Sequence, residues 1–257
     1  MTLRFASLGS GSKGNATLVE SGNTCLLLDC GFSTREVEKR LTRLDRSAEG
    51  ITAILVTHEH TDHVNGVGRL SRKYRIPVYM TSGSWAQCRT REEYPFITLI
   101  SSHVDFNIEG LEVRPYPVPH DAQEPVQFVF SDGLHSLGVL TDSGSVTPHI
   151  INMLDGLDAL LLEGNHDIGM LMDGDYPEYL KNRVSGRLGH LSNAQAAGLL
   201  GNIDCGNLQH IVAAHLSEKN NHPDRVIASF SDALNCSADW VELASQETGF
   251  DWKELAQ

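Results

Sequence analysis

The chain has 257 residues, of which 40% are hydrophobic and 21% charged, a balance that is typical of a globular protein and argues against long disorder. Its formal net charge of −13 disfavours a protein that coats nucleic acid non-specifically, because a uniformly anionic surface repels phosphates. No apolar run approaches the roughly 18 residues of a membrane helix, and the N-terminus lacks a signal-peptide pattern. The five cysteines show no spacing that is typical of disulfides. We therefore expect a cytoplasmic protein without a membrane partner.

Short apolar runs in the first half of the chain predict a series of strands. These strands are predicted at Leu3–Leu8, Thr17–Glu20, Thr24–Asp29, Ala53–Thr57, Val78–Met80, Ile97–Ser101, Leu111–Tyr116, Gln127–Phe130 and Leu137–Thr141. A glycine-rich loop, Gly9–Asn15, joins the first two strands. No linker or low-complexity segment divides the chain, and we therefore expect a single domain over residues 1–257.

Helices are predicted where apolar residues recur at helical spacing. The first begins at a capping box, Ser33 to Glu36, and a second spans Val64–Tyr74. The last third alternates strand Leu157–Leu162, helix Ser192–Leu200, strand Gln209–Ala213 and helix Pro223–Leu234, with a second capping box from Ser192 to Gln195. Helices interleaved with many short strands indicate two packed sheets that helices cover, an α+β fold.

The segment His58-Glu-His60-Thr-Asp62-His63 follows an apolar strand and places three imidazoles and a carboxylate within six positions. A helix would scatter these groups, whereas a loop that leaves a strand can fold them around two adjacent cations. Imidazole with carboxylate suits zinc, iron or manganese and leaves coordination positions open for water. The segment therefore predicts a metal site.

This His-x-His-x-Asp-His segment resembles the signature of the metallo-β-lactamase-fold hydrolases, and later landmarks of that family follow in order along nearly the whole chain. The resemblance implies an αββα four-layer sandwich with a dinuclear centre between the sheets. It implies that His58, His60 and His120 hold one metal, that Asp62, His63 and His215 hold the second, and that Asp142 bridges them. It also implies that Asp29 supports the metal loop.

Two divalent cations acidify a shared water to hydroxide and stabilise an anionic transition state. The same machinery serves β-lactams, thioesters and phosphodiesters, so the fold leaves the substrate open.

Two basic stretches without acids favour an extended polyanion as the substrate. The first contains Arg69, Arg72, Lys73, Arg75, Arg89 and Arg91, and the second contains Lys181, Arg183 and Arg187. Solvated helix faces explain both stretches equally well. The Gly9–Asn15 loop offers backbone N–H groups, with Ser12, Lys13 and Asn15, as a phosphate cradle; a tight turn between strands is an equal alternative.

The closing third, from Glu163-Gly-Asn-His166 through Gly189-His190 to His215-Leu-Ser217, resembles nuclease branches of this superfamily such as the tRNA 3′-processing endonucleases. That resemblance implies that Glu163 and His190 form a proton-donating pair.

The greatest overall likeness is to the bacterial family called YycJ, WalJ or VicX, which is regarded as a 5′→3′ DNA exonuclease. It rests on Ser10-Gly-Ser-Lys-Gly-Asn15, on the segment around His190, and on His215-Leu-Ser217 followed by Asn221. Together these likenesses imply an enzyme with two divalent metal ions (Zn, Mn or Fe) and a DNA substrate. They imply that Asp62, Glu163 and His190 are catalytic and that Ser12, Lys13, Asn15, Ser217 and Asn221 contact substrate.

Two alternatives remain: a small-molecule hydrolase acting on a thioester, lactone or cyclic nucleotide, and a non-catalytic regulatory protein. A closed pocket would favour the first, and a degraded ligand set would favour the second.

Overall fold

Two mixed β-sheets form the centre of the fold. Within residues 2–88 and 94–256, which are the residues that the computed structural model describes, fourteen strands form two sheets of seven strands each. The first sheet consists of β1 (Leu3–Gly9), β2 (Ala16–Ser21), β3 (Thr24–Leu28), β4 (Ala53–Leu55), β5 (Val78–Thr81) and β6 (Ile97–Ile100). The second consists of β7 (Phe106–Ile108), β8 (Leu111–Pro117), β9 (Val126–Ser131), β10 (Ser136–Leu140), β11 (Ala159–Glu163), β12 (His210–Ala214) and β13 (Val241–Leu243). A last strand, β14 (Phe250–Glu254), completes the first sheet beside β1.

Both sheets change from antiparallel to parallel pairing at their middle. In the first sheet β14, β1, β2 and β3 pair antiparallel, and β3 to β6 pair parallel. In the second sheet β7 to β10 pair antiparallel, and β10 to β13 pair parallel. Loops that leave the carboxyl ends of parallel strands gather at one edge of a sheet, which is the usual place for a ligand site in such sheets.

Nine helices of the described residues lie on the outer faces of the sheets and at their edges. They are α1 (Thr34–Arg43), α2 (Thr61–Val64), α3 (Val67–Tyr74), α4 (Ser82–Gln87), α5 (Pro148–Leu154), α6 (Ile168–Asp173), α7 (Glu178–Val184), α8 (Asn193–Leu200) and α9 (Pro223–Leu234). Helices α1 and α3 cover the first sheet through Val37, Leu41 and Leu70. Helices α5, α8 and α9 cover the second sheet, where Leu199 and Phe230 are buried.

Three apolar clusters separate the four layers. The central cluster lies between the two sheets and contains alternate residues of each strand, such as Leu26 and Leu28 of β3. Their neighbours Cys25 and Leu27 point the other way, into the layer beneath α1 and α3. A strand buried on both faces in this manner reads as a continuous apolar run. The expected αββα sandwich is confirmed.

Several predicted elements differ in detail. The helix expected at 64–74 is broken at Gly66, whose N–H donates to the Cys30 carbonyl at 2.8 Å and not within a helix. A Cβ on Gly66 would lie 1.9 Å from the Phe32 carbonyl oxygen, so only glycine fits this close approach. Ser33 caps α1 by accepting from the Glu36 N–H at 3.3 Å, but the Glu36 carboxylate pairs with Arg40. The capping box at Ser192 is complete. In the described residues no helix is both long and apolar enough to cross a membrane.

Candidate metal centre

The side chains of the predicted metal site lie at or just beyond the carboxyl ends of six strands, all at the same end of the sandwich; His120 follows β8. Asp29 follows β3, His58 follows β4, Asp142 follows β10, Glu163 ends β11 and His215 follows β12. Asp29, Asp142 and His215 have φ values of 60°, 53° and 54°, a left-handed conformation that costs energy for residues other than glycine. Each turn begins directly after a strand and directs its side chain to the space between the sheets.

Three imidazole nitrogens meet on one side of this space. His58 Nε2 lies 3.0 Å from His60 Nδ1, which lies 3.2 Å from His120 Nε2. His120 Nδ1 lies 3.0 Å from the Gly189 carbonyl; a carbonyl only accepts, so Nδ1 carries the proton and Nε2 presents its lone pair. Burial, together with the neighbouring imidazoles, holds the pKa of His58 well below its usual value, which keeps that ring neutral.

Asp29 fixes two more rings in the same tautomer. Its Oδ2 lies 2.8 Å from both Thr57 Oγ1 and His63 Nδ1, and its Oδ1 accepts from the Thr57 N–H at 2.9 Å. His63 therefore donates from Nδ1 and presents Nε2 to the centre. Thr57 Oγ1, having donated to Asp29, accepts from His58 Nδ1 at 2.9 Å, so His58 likewise presents Nε2. A carboxylate behind a metal-binding imidazole commonly sets its orientation in this way.

A second set of donor atoms faces the first. Asp62, His63 and His215 each offer one donor atom, all within 4.8 Å of one another. Asp142 Oδ2 lies 3.3 Å from His63 Nε2, between the two sets. Within the described part of the chain Asp142 Oδ2 and His215 Nε2 are buried without a hydrogen-bond partner. Buried acceptors without a donor are costly, and their direction toward a common centre fits a bound cation. The residues present therefore fit metal binding.

The expectation that the whole histidine segment lies in a loop is wrong for its second half. Asp62 and His63 lie in the first turn of α2, with His60 as its N-cap residue. Consecutive side chains on a helix diverge by about 100°, so His63 is fully buried against Asp29 while Asp62 faces the cleft. The backbone of α2 packs against Gly31, whose Cβ would lie 1.9 Å from the Asp62 carbonyl oxygen.

Glu163 orients two histidines on the other side of the centre. Its Oε1 lies 2.8 Å from His190 Nδ1 and 3.3 Å from His215 Nδ1, and its Oε2 accepts from the Ser143 and Leu191 N–H groups at 3.1 Å. Burial opposes ionisation, but the two imidazoles and these hydrogen bonds lower the pKa of Glu163 well below its usual range. Burial likewise opposes charge on His190, yet the carboxylate raises its pKa.

The centre opens to solvent through a cleft of about 330 Å³. His190 is 22% exposed there, and His60 and Asp62 also reach the cleft. Arg183, from α7, stands at the rim and donates from Nε to Asp121 Oδ2 at 2.7 Å. The second basic stretch therefore adjoins the site through Arg183.

The part of the first basic stretch at the C-terminal end of α3, Lys73 and Arg75, does not adjoin the site. Arg75 ends α3 just before β5, and β5 runs parallel to β4. The start of β5 therefore lies at the opposite end of the sheet from His58. Helix α3, whose eight residues span about 12 Å, leads the chain from the site toward that end. Lys73 there pairs with Glu38 of α1 at 2.7 Å. Two further members, Arg89 and Arg91, lie outside the described residues.

The hydrogen bonds of the glycine-rich loop favour the tight turn over the phosphate cradle. Six of its seven backbone N–H groups are bonded within the protein, and in the described chain only that of Ser12 has no recorded partner. Asn15 is buried and accepts from the Gly11 N–H at 2.8 Å, while its backbone N–H donates to the Asp62 carbonyl at 2.8 Å. Lys13 pairs with Glu218 at 2.6 Å. Ser12 alone of the three predicted contacts lines the cleft.

The two predicted substrate contacts near the last ligand also have structural partners. Asn221 is buried, and its side-chain amide donates to the Gly164 carbonyl at 2.8 Å and exchanges two hydrogen bonds with Asn193 at 2.9 Å. These bonds engage the Asn221 amide within the protein, and a substrate contact there stays a prediction. Ser217 Oγ accepts from the Asn220 N–H at 3.2 Å and closes a turn.

Sequence reasoning did not assign roles to several residues of the site. Thr57 links the Asp29 carboxylate to His58, the Ser10 hydroxyl accepts from the His215 N–H at 2.9 Å, and Asp121 holds Arg183 at the rim. Thr57 and Asp121 adjoin the predicted metal ligands His58 and His120 in sequence, which was the available signal. Ser10 is more than 200 residues from its partner, and its role depends on the packing of the two sheets.

Comparison with known proteins places these residues in a family context. The family model described as a β-lactamase superfamily domain matches residues 24–215. The chain is 34% identical over 239 residues to exodeoxyribonuclease YycJ of Bacillus anthracis, covering 91% of this chain and 90% of that protein. It is 32% identical over 223 residues to exodeoxyribonuclease WalJ of Streptococcus pneumoniae, covering 85% and 83%. The solved metallo-β-lactamase-fold protein YhfI from Bacillus subtilis superposes with a TM-score of 0.76 at 16% identity, covering 99% of this chain and 100% of that one.

Proposed function

Because this chain belongs to the β-lactamase superfamily, in one family with the exodeoxyribonucleases YycJ and WalJ, we propose that it is a metal-dependent phosphodiesterase that removes nucleotides from DNA in the 5′→3′ direction. The observation that carries the proposal is the pairing of Glu163 with His190 beside two facing sets of metal donors. A thioester hydrolase has less need of a separate proton donor, because a thiolate leaves readily, whereas the alkoxide that leaves a phosphodiester is a poor leaving group.

His58, His60 and His120 would hold one metal, Asp62, His63 and His215 the other, and Asp142 would bridge them. Two such cations supply charge to stabilise an anionic transition state and a lowered pKa for a shared water. Oxygen and nitrogen donors of this kind suit Zn²⁺, Mn²⁺ or Fe²⁺.

The protein's own residues orient the reaction and move its proton. Glu163 keeps the Nδ1–H of His190 fixed, so that the opposite ring nitrogen, Nε2, is the atom left to donate to the departing oxygen of the nucleotide. Asp62, at the cleft, lies 3.6 Å from His63 Nε2 and accepts the proton of the attacking water. Arg183 at the rim places a guanidinium beside the path of an anionic substrate.

The open cleft favours a polymer over a small molecule. Its rim residues are partly exposed, and Arg183 is 60% exposed, whereas pockets for small ligands are concave and bury most of the ligand. A small-molecule hydrolase remains the rival function. The exonuclease and the small-molecule hydrolase are expected to give different products in the same assay.

The test is cleavage of DNA labelled at one end or the other, with manganese, zinc and magnesium supplied separately. We expect a 5′→3′ exonuclease to release mononucleotides from the 5′ end at once, so that a 5′ label appears directly as a mononucleotide while a 3′ label gives a ladder of shortening products. The opposite assignment of the two labels would refute the direction, and rapid turnover of a thioester, lactone or cyclic nucleotide with intact DNA would refute the nuclease.

A further inference from the structure

The glycine-rich loop between β1 and β2 contacts all three residues of the second donor set, Asp62, His63 and His215. Two buried residues of the loop, Ser10 and Asn15, make these contacts. The loop belongs to the first sheet, whereas His215 follows β12 of the second sheet. The loop therefore joins candidate metal ligands that come from both sheets.

The Ser10 hydroxyl connects His215 to Asn15. It accepts from the His215 N–H at 2.9 Å and donates its own hydrogen to Asn15 Oδ1 at 3.3 Å. The φ of His215 is 54°, a conformation that costs energy for a residue other than glycine and persists only where surrounding contacts hold it. The hydrogen bond from Ser10 is such a contact, so it helps to fix the turn that directs the His215 ring to the centre.

The hydrogen bonds of Asn15 determine which way its amide faces. The Gly11 N–H can only donate, and it lies 2.8 Å from one amide atom of Asn15, which must therefore be the oxygen Oδ1. The amide nitrogen Nδ2 has two hydrogens, and one of them is directed to the Gly11 carbonyl at 3.1 Å. The other faces the second donor set, where His63 Nε2 lies at 3.1 Å, the Asp62 carbonyl at 3.4 Å and Asp62 Oδ2 at 3.5 Å.

This second hydrogen of Asn15 has two possible partners among the metal donors. His63 Nε2 is the nitrogen that the contact with Asp29 leaves free for a metal ion. A nitrogen lone pair serves either a hydrogen or a metal ion, so in the metal-bound protein the Asp62 carboxylate is the remaining partner. Carboxylates that bind metals are commonly held by such hydrogen bonds. Asn15 is therefore placed to hold the Asp62 carboxylate in its binding orientation.

The first donor set takes its support from other parts of the chain. Thr57 Oγ1 accepts from His58 Nδ1, and the Gly189 carbonyl accepts from His120 Nδ1. In the described part of the chain, no hydrogen bond is recorded between the glycine-rich loop and the three histidines of this set. The loop is thus linked to one of the two donor sets and not to the other.

We propose that Ser10 and Asn15 are positioning residues for the second metal ion, so that its affinity depends on the glycine-rich loop while the affinity for the first metal ion does not. This inference rests on the metal centre of the proposed function and adds two residues to it. Asp62 is also the group to which we assign the proton of the attacking water. The same two residues therefore hold the base of the reaction in place.

The experiment titrates the metal-free, full-length protein with Mn²⁺ and measures both dissociation constants by calorimetry. Ser10→Ala and Asn15→Ala should each weaken one constant by about 10- to 100-fold, the usual effect of removing a residue that supports a metal ligand, and leave the other constant unchanged. His215→Ala, which removes a donor of the second set, should weaken the same constant. At a Mn²⁺ concentration that fills both sites of the wild type, electron paramagnetic resonance of Ser10→Ala and Asn15→Ala should show an isolated ion in place of a coupled pair.

Each variant has a matched control. Ser7→Ala is the control for Ser10→Ala, because the buried Ser7 hydroxyl likewise accepts from a backbone N–H, that of Gly9 at 3.0 Å. Asn193→Ala is the control for Asn15→Ala, because it removes a buried amide that is bonded to Asn221 at 2.9 Å. Both controls should keep the two constants of the wild type.

A second readout separates positioning from damage to the fold. If Ser10→Ala only weakens the second metal ion, raising the Mn²⁺ concentration should restore kcat on bis(p-nitrophenyl) phosphate to the wild-type value. A misfolded loop would not recover in this way. Ser10→Ala removes a single oxygen atom, so it supplies the measurement even if Asn15→Ala fails to fold.

The outcomes separate this inference from the function beneath it. Equal weakening of both constants in Ser10→Ala and Asn15→Ala, or no change in either constant, overturns the inference and leaves the nuclease. A selective loss of one constant in a protein that cleaves no DNA refutes the nuclease and supports the inference. A wild-type protein that binds fewer than two Mn²⁺ ions overturns both the dinuclear centre and the inference.

Discussion

Replacing His190 by alanine removes the residue to which we assign protonation of the leaving oxygen while keeping the residues assigned to the metals. His190 Nδ1 lies 2.8 Å from Glu163 Oε1 but 3.6 Å from Asp142 Oδ1. Its hydrogen bond is therefore to Glu163 and not to Asp142, the proposed bridging ligand. The side chain is 22% exposed to the cleft, and its removal leaves a solvent-filled gap and no core cavity. We expect the variant to fold and to bind both metals.

The size of the effect follows from the chemistry of the leaving group. A positioned general acid contributes about 10²–10⁴-fold to a rate, equivalent to about 3–5 kcal/mol of transition-state stabilisation. DNA cleavage by His190→Ala should fall by that factor. Hydrolysis of bis(p-nitrophenyl) phosphate should be largely retained, because a nitrophenolate leaves without protonation.

The assay compares kcat on DNA and on bis(p-nitrophenyl) phosphate, together with metal content, for wild type, His190→Ala and the exposed-histidine control His103→Ala. Equal loss on both substrates with missing metal would make His190 a ligand, and unimpaired DNA cleavage would refute its catalytic role. Glu163→Gln provides a contrast. Since Glu163 also contacts His215 at 3.3 Å, that variant should lose some activity on both substrates.

Two other residues give predictions that do not depend on the substrate. Asp29→Asn replaces one acceptor oxygen by an amide donor that faces Thr57 or His63. In a competition with a chelator, this variant should bind metal about 10- to 100-fold more weakly than the wild type. Asp158→Asn is the matched control, because the Asp158 carboxylate accepts from Ser136 at 2.7 Å, far from the proposed metal site. Burial lowers the pKa of His166 to about 4. Between pH 6.5 and 4 the unfolded chain therefore binds a proton at His166 that the folded chain does not bind. The free energy of unfolding consequently decreases as the pH is lowered through that window. His166→Gln should abolish about 2 kcal/mol of the loss in unfolding free energy between pH 7.5 and 5, and denaturant curves that lose the same amount in both proteins would contradict this.

The elements that the sequence predicted are those with an apolar face of their own. Strands such as β3 and β11 are buried on both sides and read as continuous apolar runs. The sequence did not predict β14, where only Phe250 is buried, because its partner β1 lies at the other end of the chain. Helix α7 has no buried residue and therefore no periodic signal, although it borders the cleft.

The candidate site was predicted best where residues lie together in sequence. The cluster from His58 to His63 came from one local motif, whereas the pairing of Glu163 with His190, 27 residues apart, came from the resemblance to nucleases. The structure brings both sets of side chains together. The sequence left the glycine-rich loop open between a phosphate cradle and a tight turn, because sequence does not reveal whether an amide is already bonded. Asn221 is held by Asn193 and Gly164, contacts that depend on tertiary packing.

Metal content tests the central claim most directly. Protein purified without chelator, or reconstituted with manganese or zinc, should contain two transition-metal ions per chain by elemental analysis. His60→Ala should lose metal and nearly all activity together, because the remaining donors leave the cation underliganded. Clearly less than one equivalent in the wild-type protein after reconstitution would contradict the dinuclear centre and the reaction built on it.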